Sequence, residues 1–163
     1  MQELSSADYV EEDTLKDKYL LFSVDNEIFG IDLKYVIEIV GMHDITPVPK
    51  LPDYIKGIIN LRGNIYPVMD IRMRFKNKPT EYTARTSVVI LNYRDVCLGV
   101  IVDNAIEVAT ITSEEILPPP RKKDGYHNVF VKGISKSGKN KRLLIDFEKL
   151  IDEEEISKTK EKK

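Results

Sequence analysis

The sequence predicts an all-β fold built from two related small barrels. Between residues 18 and 147, short runs rich in Val, Ile, Leu, Phe and Tyr are separated by Gly, Asn, Asp and Pro. This spacing is typical of the strands and turns of a sandwich or barrel, and it predicts about ten strands. The same order of signals also occurs twice along the chain, which indicates a duplication.

The first predicted hairpin pairs residues 20–24 with residues 27–31. Its turn is Asp25-Asn26, because Asp and Asn tolerate the left-handed backbone that a two-residue turn requires. Asp32 is then expected to cap a single helical turn that ends at Tyr35.

A third strand and a second hairpin follow. Residues 37–40 have β character, whereas the three prolines within residues 47–52 disfavour both helix and central-strand pairing. Residues 56–61 and 65–71 then form the second hairpin, around the turn Arg62-Gly63-Asn64.

The second half of the chain repeats this order. An offset of 69 places Phe-Gly-Ile at 29–31 on Leu-Gly-Val at 98–100, and Ile-Glu-Ile at 37–39 on Ile-Glu-Val at 106–108. An offset of 76 places Lys-Gly-Ile at 56–58 on the same tripeptide at 132–134, and Asp70 on Asp146. The longer connection needed in the second half is supplied by the segment 118–125, since loops absorb insertions at little cost.

These alignments predict a first barrel over residues 18–80, a second over residues 85–147, and a short helix from residue 147 to 151. Exchange of strands between the barrels stays open. The acidic segment 1–17 and the polar segment 152–163 are expected to be solvated tails.

Composition argues against several classes of partner. The net charge of -2 and the pI near 5.8 give no basic field that would attract nucleic acid or an anionic membrane. The lone Cys97 cannot form an internal disulfide and favours a reducing compartment. No signal peptide and no run of about 18–20 apolar residues is found, so we expect a cytoplasmic protein without membrane insertion.

The residues give little support for chemistry. His43 and His127 have no neighbours at metal-ligand spacing, so we expect no metal. Asp70, Asp103 and Asp146 each follow an apolar strand, where a turn or cap explains them. No phosphate loop or nucleophile motif is present, so no cofactor and no small-molecule substrate are expected. Two alternatives stay open: a barrel that binds single-stranded nucleic acid, and an enzyme that uses unmatched carboxylates between the barrels.

One segment resembles a known family closely. Residues 57–75, GIINLRGNIYPVMDIRMRF, resemble the central signature of the CheW family. Residues 29–32 (FGID), 36–39 (VIEI), 47–49 (PVP) and 100–103 (VIVD) extend the resemblance, which covers roughly residues 18–151.

The resemblance implies two SH3-like five-stranded barrels packed together, with a groove that receives the helical tip of a chemoreceptor. It also implies that other surfaces engage the regulatory domain of the histidine kinase CheA. The chain would then be a non-catalytic adaptor, without cofactors, that couples receptors to the kinase.

Receptor-binding residues follow from the resemblance position by position. Val36, Glu38, Gly57 and Arg62 match positions where the family contacts receptors, and their neighbours Ile39, Asn60 and Leu61 are expected to line the same region.

Simple physical arguments accompany three of these assignments. Arg62, in a hairpin turn, presents a planar donor fork to a partner, and Glu38 is expected to share a face with Val36 and Ile39. Gly57 leaves room either for a partner or for a close internal contact. If the site is exposed, Gly57→Asp and Arg62→His should change the melting temperature by only a few degrees.

Kinase-binding residues are assigned to exposed edges and loops. The candidates are Thr46, Val48, Lys56 and Ile65 in the first half, and Arg121 and Lys122 in the second.

Overall fold

The computed structural model describes residues 15–76, 81–119, 128–137 and 140–151 of the 163-residue chain. Within these ranges the strands are β1 (Lys18–Val24), β2 (Glu27–Asp32), β3 (Val36–Gly41), β4 (Ile55–Leu61), β5 (Asn64–Asp70), β6 (Ser87–Tyr93), β7 (Val96–Val102), β8 (Asn104–Thr110), β9 (Ile116–Leu117), β10 (Val131–Ser137) and β11 (Asn140–Ile145). The helices are α1 (Ile71–Lys76) and α2 (Phe147–Leu150), with 3-10 turns at Leu33–Tyr35, Ser113–Glu115 and Asn128–Phe130. The all-β prediction is therefore confirmed.

The strands form two sheets that each combine both halves of the chain. One sheet has the order β8-β1-β2-β11-β10-β9, and the other has the order β3-β6-β7-β5-β4. The first hairpin thus pairs with the end of the chain through parallel contacts between β2 and β11, and β7 makes the equivalent parallel contacts with β5. Neither sheet corresponds to a contiguous segment such as 18–80 or 85–147, because the two halves exchange their first hairpins.

The sheet that contains β3 to β7 closes on itself as SH3-like barrels do. An isolated bridge joins Thr46, in the segment after β3, to Ile58 in β4, although β3 and β4 lie at opposite ends of the strand order. In the other sheet, β8 and β9 are consecutive in the chain and also lie at opposite ends. The two-residue β9 gives this sheet six strands, where five were predicted.

The core has three parts. A large shared core between the sheets takes side chains from both, and each barrel has a smaller interior of its own. Because β1 and β6 lie between these regions, alternate side chains of one strand enter different cores, as Leu20 and Leu21 do. This explains why such strands are continuous apolar runs rather than alternating ones.

The predicted turns of the exchanged hairpins are confirmed. Asp25 and Asn26 have φ values of 56° and 68°, and the equivalent Arg94 and Asp95 have values of 48° and 66°. Positive φ at both central positions defines the two-residue turn whose twist suits a hairpin. Asp32, in contrast, makes no side-chain hydrogen bond to the following 3-10 turn, so its predicted capping role is wrong.

Candidate functional site

An ion pair brings together two parts of the predicted receptor site. The Nη2 group of Arg62, in the turn between β4 and β5, donates to the Oε2 atom of Glu38 in β3. The side chains are 66% and 29% exposed, respectively. Because the arginine is mostly in solvent and its planar group carries further N–H donors, it can reach a partner while it holds Glu38.

The turn that carries Arg62 is rigidly organised. Arg62 and Gly63 have φ values of 53° and 87°, which defines a two-residue turn with β5 beginning at Asn64. The Oδ1 atom of Asn60 accepts a hydrogen bond from the backbone N–H of Gly63 at 3.0 Å. Asn60 therefore orients the turn from within the site.

Strand β3 presents different residues on its two faces. Ile37 and Ile39 are 49% and 43% exposed, whereas Val36 is half-buried and packs against the shared core. A bulge interrupts the alternation between Val36 and Glu38, which pair with Leu91 and Ile90 on opposite faces of β6. Ile39 pairs with Val89, so Val36 and Ile39 lie on one face of β3 and Glu38 lies on the other. The expectation that Glu38 shares a face with Ile39 is therefore wrong, and Ile37 is an exposed residue that the assignment missed.

Gly57 allows a close contact inside the molecule, between β4 and the segment that contains Thr46. Its φ is +145°, and a β-carbon added there would lie 2.1 Å from the carbonyl oxygen of Thr46 and 2.9 Å from the Cγ2 atom of Ile45. The pairing of β4 with β5 also shifts register between Ile55 and Gly57. Gly57 is buried by its own chain, so the expectation that Gly57→Asp leaves stability nearly unchanged is wrong.

Leu61 is also internal. It is 4% exposed and packs with Ile59 and Val68 in the interior of the barrel that contains β3 to β7. The expectation that Leu61 lines a binding groove is therefore wrong, because residues 57, 59 and 61 share the face of β4 that points into this interior.

The predicted kinase-binding residues of the first half lie around the same hairpin. Thr46 is exposed, and its backbone N–H and C=O pair with Ile58 at 2.9 Å in both directions. Val48 and Lys56 are half-buried, and Ile65 is 36% exposed. Arg121 and Lys122 lie outside the described residues.

Two of the three aspartates considered as catalytic candidates, Asp70 and Asp146, make hydrogen bonds that support the fold. The Oδ1 atom of Asp70 accepts from the backbone N–H of Arg72 at 3.0 Å, at the start of α1, and its Oδ2 accepts from the Tyr82 hydroxyl at 2.7 Å. Asp146 accepts from the backbone N–H of Lys149 at the start of α2. Both positions are caps, as the sequence indicated, and Tyr82 is a partner that the sequence did not reveal.

Asp103 fixes the tip of the first hairpin. Its Oδ2 atom accepts from the Asp25 backbone N–H at 2.7 Å and from the Arg72 guanidinium. The side chains of Arg72 and Asp103 are 14% and 32% exposed, so this ion pair is half-buried. Through these contacts, Asp103 holds the turn of the β1–β2 hairpin against α1, the helix that carries Arg72.

The described residues show few features of any other kind of site. Among the described residues, no group of three or more His, Cys, Asp and Glu side chains is placed to hold a metal ion. His43 is exposed and its Nδ1 atom lies 2.9 Å from the Gly41 carbonyl oxygen, and His127 lies outside the described residues. No described helix is long and apolar enough to cross a membrane.

Comparisons with known proteins agree on one family. The family model for the CheW-like domain matches residues 18–155. The chain is 33% identical to chemotaxis protein CheW of Klebsiella aerogenes over 157 residues, which covers 96% of this chain and 95% of that protein. It is 33% identical to CheW of Bacillus subtilis, covering 85% of this chain and 88% of that protein.

A solved structure supports the same relationship. The scaffolding protein TtCheW from Thermoanaerobacter tengcongensis matches with a TM-score of 0.73 and 35% sequence identity, over 80% of this chain and 88% of that chain. Since sequence and fold agree over most of its length, the chain belongs to the CheW-like family of chemotaxis scaffold proteins.

Proposed function

We propose that this chain is a non-catalytic cytoplasmic adaptor of chemotaxis. It binds the helical tip of transmembrane chemoreceptors and the regulatory domain of the histidine kinase CheA, and so lets receptors control the kinase. The observation that carries the proposal is the match to CheW proteins over nearly their whole length, such as 95% of the Klebsiella aerogenes protein. The candidate carboxylates Asp70 and Asp103 fit a non-catalytic role, because their hydrogen bonds join parts of the fold.

The receptor site consists of the exposed residues around the ion pair. Arg62 and Glu38 supply charge, Ile37 and Ile39 supply exposed apolar surface, and Asn60 holds the turn. An arginine beside apolar side chains is a common centre of binding energy in protein interfaces. A helix tip that carries both apolar side chains and carboxylate or amide oxygens fits this surface.

The remaining predicted receptor residues shape the site from beneath. Val36 anchors β3 to the shared core, and Gly57 and Leu61 fix the course of β4. Substitutions at these three positions would alter receptor binding by moving the exposed residues.

The first-half portion of the proposed kinase surface adjoins the receptor site, in the barrel that contains β3 to β7. Thr46, Val48, Lys56 and Ile65 form this portion, and we assign Arg121 and Lys122 to the second-half portion. Ile65 lies directly opposite Asn60 in the pairing of β4 with β5. The two proposed surfaces therefore share one hairpin, and simultaneous binding makes each partner raise the effective concentration of the other.

Backbone amide shifts in the labelled chain test the proposal. The full chain is titrated separately with a receptor signalling fragment and with the kinase regulatory domain. We expect the receptor fragment to shift amides of β3 and the β4–β5 turn, and the kinase domain to shift a second set around Ile65 and Lys56.

Two charge reversals sharpen the receptor test. Arg62→Glu should weaken receptor binding by about tenfold or more, as loss of a central arginine does in other interfaces. Lys136→Glu is the matched control, because Lys136 is an exposed cation on β10 in the other sheet. Equal affinity of both variants, together with unshifted amides in β3, would refute the receptor site.

A further inference from the structure

Arg74 lies between aromatic rings that belong to different sheets. Its guanidinium carbon is 4.5 Å from the centre of the Tyr54 ring and 4.8 Å from the centre of the Phe130 ring. Tyr54 directly precedes β4 in one sheet, whereas Phe130 directly precedes β10 in the other. The cation is thus attracted to both ring faces at once.

The two rings occupy equivalent positions of the repeat. The offset of 76 that places Asp70 on Asp146 also places Tyr54 on Phe130. In both copies the aspartate N–H donates to the carbonyl oxygen of the aromatic residue at 2.7 Å. Each ring is therefore held by its own barrel at a defined place, and Arg74 spans the distance between them.

The arginine also contacts its own counterpart. The same offset places Arg74 on Leu150, the last residue of α2, and the Nε atom of Arg74 donates to the Leu150 carbonyl oxygen at 3.3 Å. Carbonyls at a helix end lack partners within the helix and favour a nearby cation. The contact joins the helix that follows β5 to the helix that follows β11.

We infer that Arg74 is a coupling joint: its charge, held between Tyr54 and Phe130 and bound to Leu150, makes the two sheets open and move as one unit. This is a conformational role that does not depend on the proposed partners. It differs from general packing, because the joint acts on the relation between the sheets. Packing of Phe75 on Phe29 and Phe130 keeps the sheets associated when the charge is removed, so variants of Arg74 should still fold.

Native-state hydrogen exchange of the full chain tests the joint. In the wild type, the slowest amides of β4 and β5 and those of β10 and β11 should exchange with equal opening free energies. Arg74→Gln should separate the two sets, with exchange in β10, β11 and α2 rising about tenfold more than in β4 and β5, the scale expected for two cation–π contacts of a half-buried arginine. Uniform acceleration of both sets would show an ordinary loss of stability and would overturn the inference.

Two further variants isolate the cause. Arg94→Gln removes a cation from a single ring, since Arg94 lies 5.2 Å from the Tyr93 ring centre, and it should leave the two sets equal. Arg74→Lys keeps a charge between the rings and should stay closer to the wild type than Arg74→Gln. The inference fails if Arg74→Lys separates the two sets of amides as strongly as Arg74→Gln does, or if Arg94→Gln separates them too. In either case the charge of Arg74 does not couple the two sheets.

Discussion

The carbonyl oxygen of Thr46 occupies the space into which a side chain on Gly57 would project. A β-carbon on Gly57 would lie 2.1 Å from this oxygen, far inside a van der Waals contact. The same backbone stretch pairs with Ile58 and closes the barrel. Glycine is therefore required at position 57 by the fold itself, before any partner binds.

Gly57→Ala should destabilise the protein by about 3 kcal/mol or more, because it combines a positive φ with a steric clash against backbone. Urea unfolding followed by circular dichroism measures the change. Gly41→Ala is the matched control, since nothing lies within 4 Å of the added atom, and it should be nearly neutral. A loss below about 1 kcal/mol in Gly57→Ala would contradict the clash, since a Gly-to-Ala change without strain is neutral or slightly stabilising.

The ion pair between Arg62 and Glu38 should contribute little to stability. Exposed pairs contribute about 0.2–1 kcal/mol, and Arg62 is 66% exposed. A double-mutant cycle with Arg62→Gln and Glu38→Gln, measured by urea unfolding, should give a coupling energy of about 1 kcal/mol or less. A coupling energy of several kcal/mol would mean that the pair supports the fold and is not mainly a surface for a partner.

Tyr82→Phe should cost about 2 kcal/mol, because it removes the hydroxyl that donates to the buried carboxylate of Asp70. Asp70 is 2% exposed, so its Oδ2 atom would lose a partner away from bulk water. The change is read from thermal unfolding at pH 7, with Asp70→Asn as a second variant that weakens the same contact. Wild-type stability in Tyr82→Phe would show that the hydroxyl adds nothing.

The same tyrosine predicts a pH dependence. Burial, the hydrogen bond to Asp70 and the charge of that carboxylate, in this order, raise the pKa of Tyr82 above its usual value. Burial, with Asp32 nearby, raises the pKa of Tyr19 to about 12. When the pKa of a tyrosine is raised in the folded state, the protonated form stabilises the folded protein. This stabilisation is complete below the unfolded pKa of about 10, and it is lost as the pH rises through the folded pKa.

Stability should therefore fall as the pH rises above about 10, and this fall should be shallower in Tyr82→Phe. Urea unfolding at a series of alkaline pH values measures the two slopes. The comparison with the variant separates the contribution of Tyr82 from that of other groups that titrate in the same range. Identical slopes would contradict the assignment.

Asp103→Ala should destabilise the protein by about 2 kcal/mol, because among the described residues it leaves Arg72 with only its longer pair to Asp25, at 4.0 Å. It also removes the acceptor of the Asp25 N–H. Asp103→Asn keeps a neutral acceptor and should cost less. Asp53→Ala, at an exposed aspartate, should be nearly neutral in the same unfolding experiment.

Local chemistry explains which features the sequence could predict. Positive φ at Asp25, Asn26 and Gly63 follows from the residue types present, so these two hairpins were found. The capping roles of Asp70 and Asp146 follow from carboxylates placed directly before helices. These features depend only on residues close in the chain.

Features that depend on distant contacts were missed. The pattern of strands is the same whether hairpins pair within a half or are exchanged, so the sheet order could not be read from it. The close approach of Thr46 to Gly57 likewise requires the closed barrel. Leu61 could have been identified, because residues 57, 59 and 61 follow the period of two that marks one face of a strand.

The exchange of hairpins has a consequence during synthesis on the ribosome. Strand β2 pairs with β11, which ends at Ile145, so the first hairpin emerges long before its partner strand exists. At about 5–20 residues per second, the nascent chain waits several seconds for that strand. During this time apolar residues such as Phe22 and Phe29 lack the core that later covers them, so the unfinished chain exposes apolar surface until β11 has been made.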